Sequence, residues 1–174
     1  VIFIIKHIKR AQKGDGDAFL EAFKKYEKDI YRMAYIYLKN ENDALDVVQE
    51  VAYQSFKKVH TLKYPEYFKT WIIKITISCS VNLIKMNKRV SKLNQKYIEN
   101  ISIMTEDIPL NLTLKNIIDD LNEKEKSVVL LKYYQDYTFK EISEILEIPL
   151  GTAKSILYRA LKKLKKEFLE GDNL

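Results

Sequence analysis

The sequence predicts an all-α protein made of two small helical domains joined by a flexible linker, and three observations lead there. Glycine and proline are scarce, four and three in 174 residues, while good helix formers fill long stretches. Apolar residues recur at steps of three and four rather than in strict alternation, which is the spacing of one helical face. Between about Val90 and Leu112 that periodicity fades, Asn, Ser, Glu and Asp accumulate, and Pro109 opposes a helical crossing. The expected boundaries are 1–89 for the first domain, 90–112 for the linker and 113–174 for a second, smaller domain.

The elements follow in order. A short helix is expected at the N-terminus, where apolar Val1 to Ile5 give way to Lys6, His7, Lys9 and Arg10. That run is too short for the apolar core of a signal peptide or for a membrane span. From Asp17, the expected N-cap, to about Lys39, a second helix turns Phe19, Phe23, Tyr26, Ile30, Met33, Ala34 and Tyr37 to one side. A third runs from about Asn42 to His60, with Asn42 or Asp43 as its start signal, and turns Leu45, Val48, Ala52, Phe56 and Val59 inward. Pro65 breaks the chain. A fourth helix, about Tyr67 to Lys88, carries Phe68, Trp71, Ile72, Ile75, Cys79, Leu83 and Met86, enough to close a bundle. Past the linker, Leu114–Leu121, Glu123–Tyr134, Phe139–Leu146 and Gly151–Phe168 are four short helical segments with joints of a few residues.

The second domain holds the most informative local pattern. Thr138-Phe139-Lys140-Glu141 is a capping box, with the Thr hydroxyl and the Glu carboxylate each serving a backbone N–H at a helix start. Glu147-Ile148-Pro149-Leu150 must then turn. The following helix buries Ala153, Ile156 or Leu157, Ala160, Leu161, Leu164 and Phe168. Its other side carries Lys154, Ser155, Tyr158, Arg159, Lys162, Lys165 and Lys166. A short helix, a tight turn and a longer basic helix is the arrangement that sets a recognition helix into the major groove. Periodicity alone leaves a solvated lysine face and a DNA contact equally open. In the first domain Asp46, Gln49, Glu50 and Tyr53 stand at i, i+3, i+4 and i+7, one polar, acidic stripe suited to a basic partner.

Residue identities narrow the choice. The runs Leu121 to Tyr134, Thr138 to Leu146, Ile148 to Ser155 and Tyr158-Arg159-Ala160 resemble, in order, the region 4 signature of sigma factors. Asp43-Ala44-Leu45-Asp46-Val47-Val48-Gln49-Glu50 resembles the region 2.2 motif of the sigma-70 family, and Phe68 to Ile75 resembles the start of region 2.4. The chain is too short for the further regions of a primary sigma factor, so the resemblance is to the compact extracytoplasmic-function (ECF) group. It implies a protein that binds core RNA polymerase and directs initiation at specific promoters. The acidic stripe would meet the beta-prime clamp coiled coil. Lys63, Tyr64, Tyr67, Lys74, Ser78, Asn82 and Lys85 would meet the minus-ten element, and Thr152, Lys154, Ser155, Tyr158, Arg159 and Lys162 the minus-35 duplex. The second domain would also meet the beta flap. An anti-sigma factor would hold the protein inactive.

The pattern also departs from that family. Asp136 and Glu147 stand at turn positions commonly held by Gly, Ile156 replaces a frequent Arg, and Ser78 a common Asn. A non-Gly residue at positive φ costs on the order of 1 kcal/mol.

Composition bounds the remaining possibilities. A net charge of +6 fits a polyanion partner without requiring one. Cys79 is the single cysteine, which rules out an internal disulfide or multi-thiolate site and fits a reducing cytoplasm. His7 and His60 lack metal-ligand spacing, and Cys79 and Trp71 are expected to fill the core. Without a phosphate-cradling Gly loop, nucleophile elbow or clustered acid pair, no enzyme, cofactor or small-molecule substrate is expected. The competing function is a classical helix-turn-helix regulator whose first domain senses a ligand or dimerises.

Overall fold

The computed structural model describes residues 2–93 and 121–171, with side chains at 2–89 and 121–166. It divides into two units, Val1–Asp107 and Ile108–Leu174. Every regular element among the described residues is helical.

In the first unit α1 spans Ile2–Ala11, α2 Gly16–Leu38, α3 Glu41–Lys58 and α4 Phe68–Leu93. The first turn of α2 is closed by Asp15, two residues earlier than expected, whose carboxylate accepts from the Ala18 N–H at 2.9 Å. Asp15 also pairs with Arg10 at 2.6 Å, fixing the turn out of α1. At its other end α2 stops on Lys39 in the left-handed region (φ 56°), whose N–H donates to Tyr35 O. Asn40, not Asn42 or Asp43, caps α3, accepting from the Asp43 N–H at 3.0 Å.

Helix α2 packs against α1, α3 and α4, and α3 against α4. Phe19, Phe23, Ile30, Met33, Ala34 and Tyr37 are buried as their spacing predicts, and Tyr26 is half-buried. The inner face of α3 is rotated from the expected one. Ala44, Val47, Val48, Val51 and Ser55 are buried, whereas Leu45 and Phe56 are 50 % and 46 % exposed and Ala52 is half-buried. Small and β-branched residues fill that inner face, while Phe56 lies at its margin with its ring edge-on to Phe19 of α2 at 5.2 Å. Helix α4 shows the same displacement: Phe68, Ile72, Ile73, Thr76, Ile77 and Ser80 are inside. Trp71, Ile75, Cys79 and Leu83 are half-buried, and Met86 is exposed, so Trp71 and Cys79 are not core fillers. The buried hydroxyls of Thr76 and Ser80 donate back to Ile72 O and Thr76 O, both at 2.9 Å, so neither is orphaned.

In the second unit α5 covers Glu123–Val129 and runs into a π-helical turn, Leu130–Tyr134. Then come α6, Phe139–Leu146, and α7, Leu150–Gly171. Helix α7 packs on α5 and α6. The core includes Leu121, Val128, Leu131, Tyr137, Ile142, Ile145, Ala153, Ile156, Leu157, Ala160 and Leu164, so both Ile156 and Leu157 are inside and Leu161 only half so. Helix α4 continues to Leu93, four residues into the expected linker of 90–112, because Val90 to Leu93 contain no helix breaker; the rest of that linker, residues 114–120 of the helix expected over 114–121, and the Phe168 side chain lie outside the described residues.

Candidate functional site

On α3, Asp46, Gln49, Glu50 and Tyr53 are all exposed, because the inward arc of that helix is taken by Val47, Val48 and Val51. Glu50 accepts from Gln54 Nε2 at 2.7 Å, and Lys57 lies 5.8 Å from the Tyr53 ring centroid. The stripe therefore projects carboxylates beside a large aromatic, with basic residues held to its C-terminal end.

A groove of about 550 Å³ separates α3 from α4. Asp46 and Glu50 form one wall, Ser78 and Asn82 the other, and Ile75, Cys79 and Leu83 line its apolar part. Residues that the family resemblance would assign to different partners thus line one cleft. Sequence reasoning missed it because half-buried Ile75, Cys79 and Leu83 read as core at helical spacing. Burial pushes the Cys79 thiol above its ordinary value, Glu50 adds to that, and Lys58 partly opposes it.

The segment between α3 and α4 is ordered from inside. Val59–Thr61 and Pro65–Tyr67 form two 3-10 turns, with Val59, Leu62 and Pro65 buried. From the turn after α1, Gln12 Nε2 donates to Val59 O at 3.2 Å and to Leu62 O at 2.6 Å, a tether no motif announced. Lys63, Tyr64 and Tyr67 consequently face out. The two rings meet edge-on at 6.1 Å, and the Lys63 ammonium lies 5.4 Å from the Tyr64 centroid. Exposed aromatics with a cation over one of them can stack a base and hold its phosphate. Along α4, Ser78, Asn82 and Lys85 are exposed and Lys74 is half-buried.

In the second unit the capping box is formed as its sequence predicts. Glu141 Oε2 accepts from the Thr138 N–H at 2.8 Å and from its hydroxyl at 2.7 Å, while Thr138 Oγ1 accepts from the Glu141 N–H at 3.3 Å. The Thr138 hydroxyl and amide hold the Glu141 carboxyl below its ordinary range. Asp136 and Glu147 take φ of 57° and 53°, so the turns keep a glycine-like backbone without glycine. Ser143 secures the second turn: its O accepts from the Ile148 N–H at 3.0 Å and its hydroxyl donates to Ile148 O at 2.8 Å.

From that turn α7 leaves with Lys154, Ser155, Tyr158, Arg159 and Lys162 exposed and Thr152 half-buried. Tyr158 is 72 % exposed, an uncovered aromatic among cations. Lys132 and Lys154 lie 5.5 and 5.9 Å from the Phe139 centroid. Ile156 is buried, so its position offers no cation to a polyanion.

A second capping box, between Asn122 and Glu125, opens α5. Glu125 is only 4 % exposed and accepts from Lys163 Nζ, on α7, at 2.7 Å. Burial alone would raise the Glu125 carboxyl. The Lys163 hydrogen bond, the Asn122 N–H and the charges of Lys163 and Arg159 outweigh it, so the carboxyl sits low. The box was legible in Asn122-x-x-Glu125, but its cation lies far along the chain.

Comparison with known proteins accords with this architecture. The family model "Sigma-70 region 2" matches residues 22–90, and "Sigma-70, region 4" matches 117–166. The chain is 32 % identical over 147 residues to the RNA polymerase sigma factor SigV of Bacillus subtilis, covering 84 % of this chain and 89 % of that protein. It is 29 % identical to the ECF RNA polymerase sigma factor SigW of the same organism, over 95 % of this chain and 97 % of that one. In fold it is similar to CnrH, solved in complex with the cytosolic domain of CnrY (TM-score 0.72, 17 % identity, 98 % of this chain and 99 % of that chain). It is also similar to RpoE, solved with the anti-sigma factor NepR from Bartonella quintana (TM-score 0.70, 18 % identity, 85 % and 94 %). With both regions matched in order and a relative alike over most of its length, the chain belongs to the sigma-70 family and is an ECF sigma factor.

Proposed function

We propose that this ECF sigma factor divides its work between its two units. Residues 1–89 bind core polymerase and the minus-ten element, 113–174 bind the minus-35 duplex, and 90–112 join them. The stripe of Asp46, Gln49, Glu50 and Tyr53 meets the beta-prime clamp coiled coil, and the second unit meets the beta flap as well as DNA. Lys63, Tyr64 and Tyr67 take an unstacked base, while Lys74, Ser78, Asn82 and Lys85 follow the opened strand. Thr152, Lys154, Ser155, Tyr158, Arg159 and Lys162 face the duplex. Joining two weak sites gives avidity, so promoter binding is strong only within holoenzyme. An anti-sigma factor of the kind solved with RpoE covers the polymerase-binding face until a signal removes it, in the cytoplasm. The chain supplies recognition, and the polymerase supplies the chemistry.

The observation that carries this reading is the exposure of an acidic stripe on α3, inside the region 2 match and lining the cleft shared with α4. It is tested by titrating labelled chain with sigma-free bacterial core polymerase. An Asp46→Ala, Gln49→Ala, Glu50→Ala variant should bind core at least tenfold more weakly while keeping its circular dichroism and melting temperature. Undiminished core binding by the folded variant would remove the stripe from the interface.

A further inference from the structure

Arg159, Lys162, Lys163 and Lys166 stand at i, i+3, i+4 and i+7 on α7, so Lys163 belongs by position to the basic stripe. Its side chain is nevertheless turned toward α5. Nζ meets Glu125 Oε2 at 2.7 Å, with the lysine side chain about half exposed (48 %) and the carboxylate almost wholly covered (5 %). The same Oε2 accepts from the Asn122 N–H at 3.2 Å, and Asn122 Oδ1 caps the Lys124 and Glu125 N–H groups at 3.1 and 3.0 Å. Two donors, one from each helix, thus converge on a single carboxylate oxygen, and a buried carboxylate without a cation is costly. Lys163 has a partner that DNA cannot easily replace.

We propose that Glu125 is a positioning residue for the recognition helix: it holds Lys163 against α5, withdraws that cation from the DNA backbone, and leaves contact to the exposed residues nearer the N-terminal end of α7. The inference rests on α7 being the DNA-facing helix, as the functional reading assigns. Its consequence is a ceiling on sequence-independent attraction. Each phosphate neutralised adds about 0.9 to the log-log dependence of duplex affinity on salt, and this chain forgoes one such contact. A cation on the stripe but held inward raises the share of binding carried by side chains at base edges.

The test uses the full chain and a short mixed-sequence duplex, with affinity measured by fluorescence anisotropy across a salt series. Glu125→Gln keeps an oxygen to accept from the Asn122 N–H but loses the charge that holds Lys163. Its salt dependence should steepen by about 0.9, an additional loss of about threefold in affinity between about 50 and 200 mM salt. Adding Lys163→Met to Glu125→Gln should restore the wild-type slope. Lys163→Met alone should leave the slope unchanged where circular dichroism shows it folded, since it strands the Glu125 carboxylate; the double variant strands no charge, so its slope against wild type decides the matter even if either single variant folds poorly. An unchanged slope in folded Glu125→Gln, or a slope reduced by about 0.9 in Lys163→Met or in the double variant, overturns the withdrawal of Lys163. Duplex binding by the wild type that is insensitive to salt overturns the DNA-facing assignment of α7 itself, a distinct outcome.

Discussion

Removing the Thr138 hydroxyl should destabilise the second unit by a measurable and specific amount. Thr138→Ala deletes the acceptor for the Glu141 N–H and one of the two donors to Glu141 Oε2, leaving the Thr138 amide bond in place. Loss of an N-cap side chain costs about 1 kcal/mol, up to about 2. A helical unit this small has a stability on the order of 5 kcal/mol. The loss is therefore a substantial fraction of the total, and at this size it lowers the melting temperature by roughly 4–8 °C per kcal/mol. Urea unfolding followed by circular dichroism, with amide exchange at α6 to localise the effect, measures it. Thr138→Ser, which keeps the hydroxyl, should stay within about 0.5 kcal/mol of wild type. The pH dependence has a fixed sign. Glu141 is depressed in the folded state, so its contribution is full above the ordinary carboxyl value of about 4.5 and is lost as pH falls below that through the folded value. Thr138→Ala should make the unit less sensitive to acid over that window. A neutral Thr138→Ala, or a Thr138→Ser as damaging as the alanine, would refute the capping argument.

Three further outcomes follow from the geometry. Glu147→Gly should stabilise the second unit by about 0.5–1 kcal/mol, since φ of 53° strains a side chain but not glycine; urea midpoints measure this, and a loss would mean the side chain of Glu147 outweighs the strain. Ile72→Ala, at a fully buried site, should cost about 2–5 kcal/mol, while Met86→Ala, 58 % exposed, should cost under about 0.5 kcal/mol; equal costs in thermal unfolding would contradict the observed inner face of α4. Cys79, with its thiol pushed up chiefly by burial, should react with iodoacetamide near neutral pH several-fold more slowly than in urea-unfolded chain, and equal rates would count against burial.

Periodicity and capping rules went far with this chain. The burial of Phe19, Phe23, Ile30 and Met33 was legible because large apolar residues at one helical spacing leave a single choice of face. On α3 the rule favoured Leu45 and Phe56, whereas the interior takes Ala44, Val47, Val51 and Ser55. Close helix approach rewards small side chains, and spacing alone does not weigh approach distance. A similar ambiguity placed Trp71 and Cys79 in the core, when α4 buries Ile73, Thr76 and Ile77 instead. Thr138 with Glu141 was legible because both members lie within one turn. The tether from Gln12 to Val59 and Leu62, and the pairing of Glu125 with Lys163, were not, since each joins residues that only tertiary packing brings together. The exposed stripe and the basic face of α7 could be read as polar faces, but the cleft between α3 and α4 emerges only from their packing.

The most direct test of the central claim is run-off transcription from a candidate promoter with sigma-free bacterial core polymerase, comparing the wild-type chain with the Asp46→Ala, Gln49→Ala, Glu50→Ala variant. Promoter-dependent transcript from the wild type, lost in the folded variant, is the expected result. Full transcript from the variant would contradict the assignment of the α3 stripe to core binding. Duplex binding by a wild-type chain that supports no transcript from any cognate core and promoter would contradict its action as a sigma factor and favour a helix-turn-helix regulator.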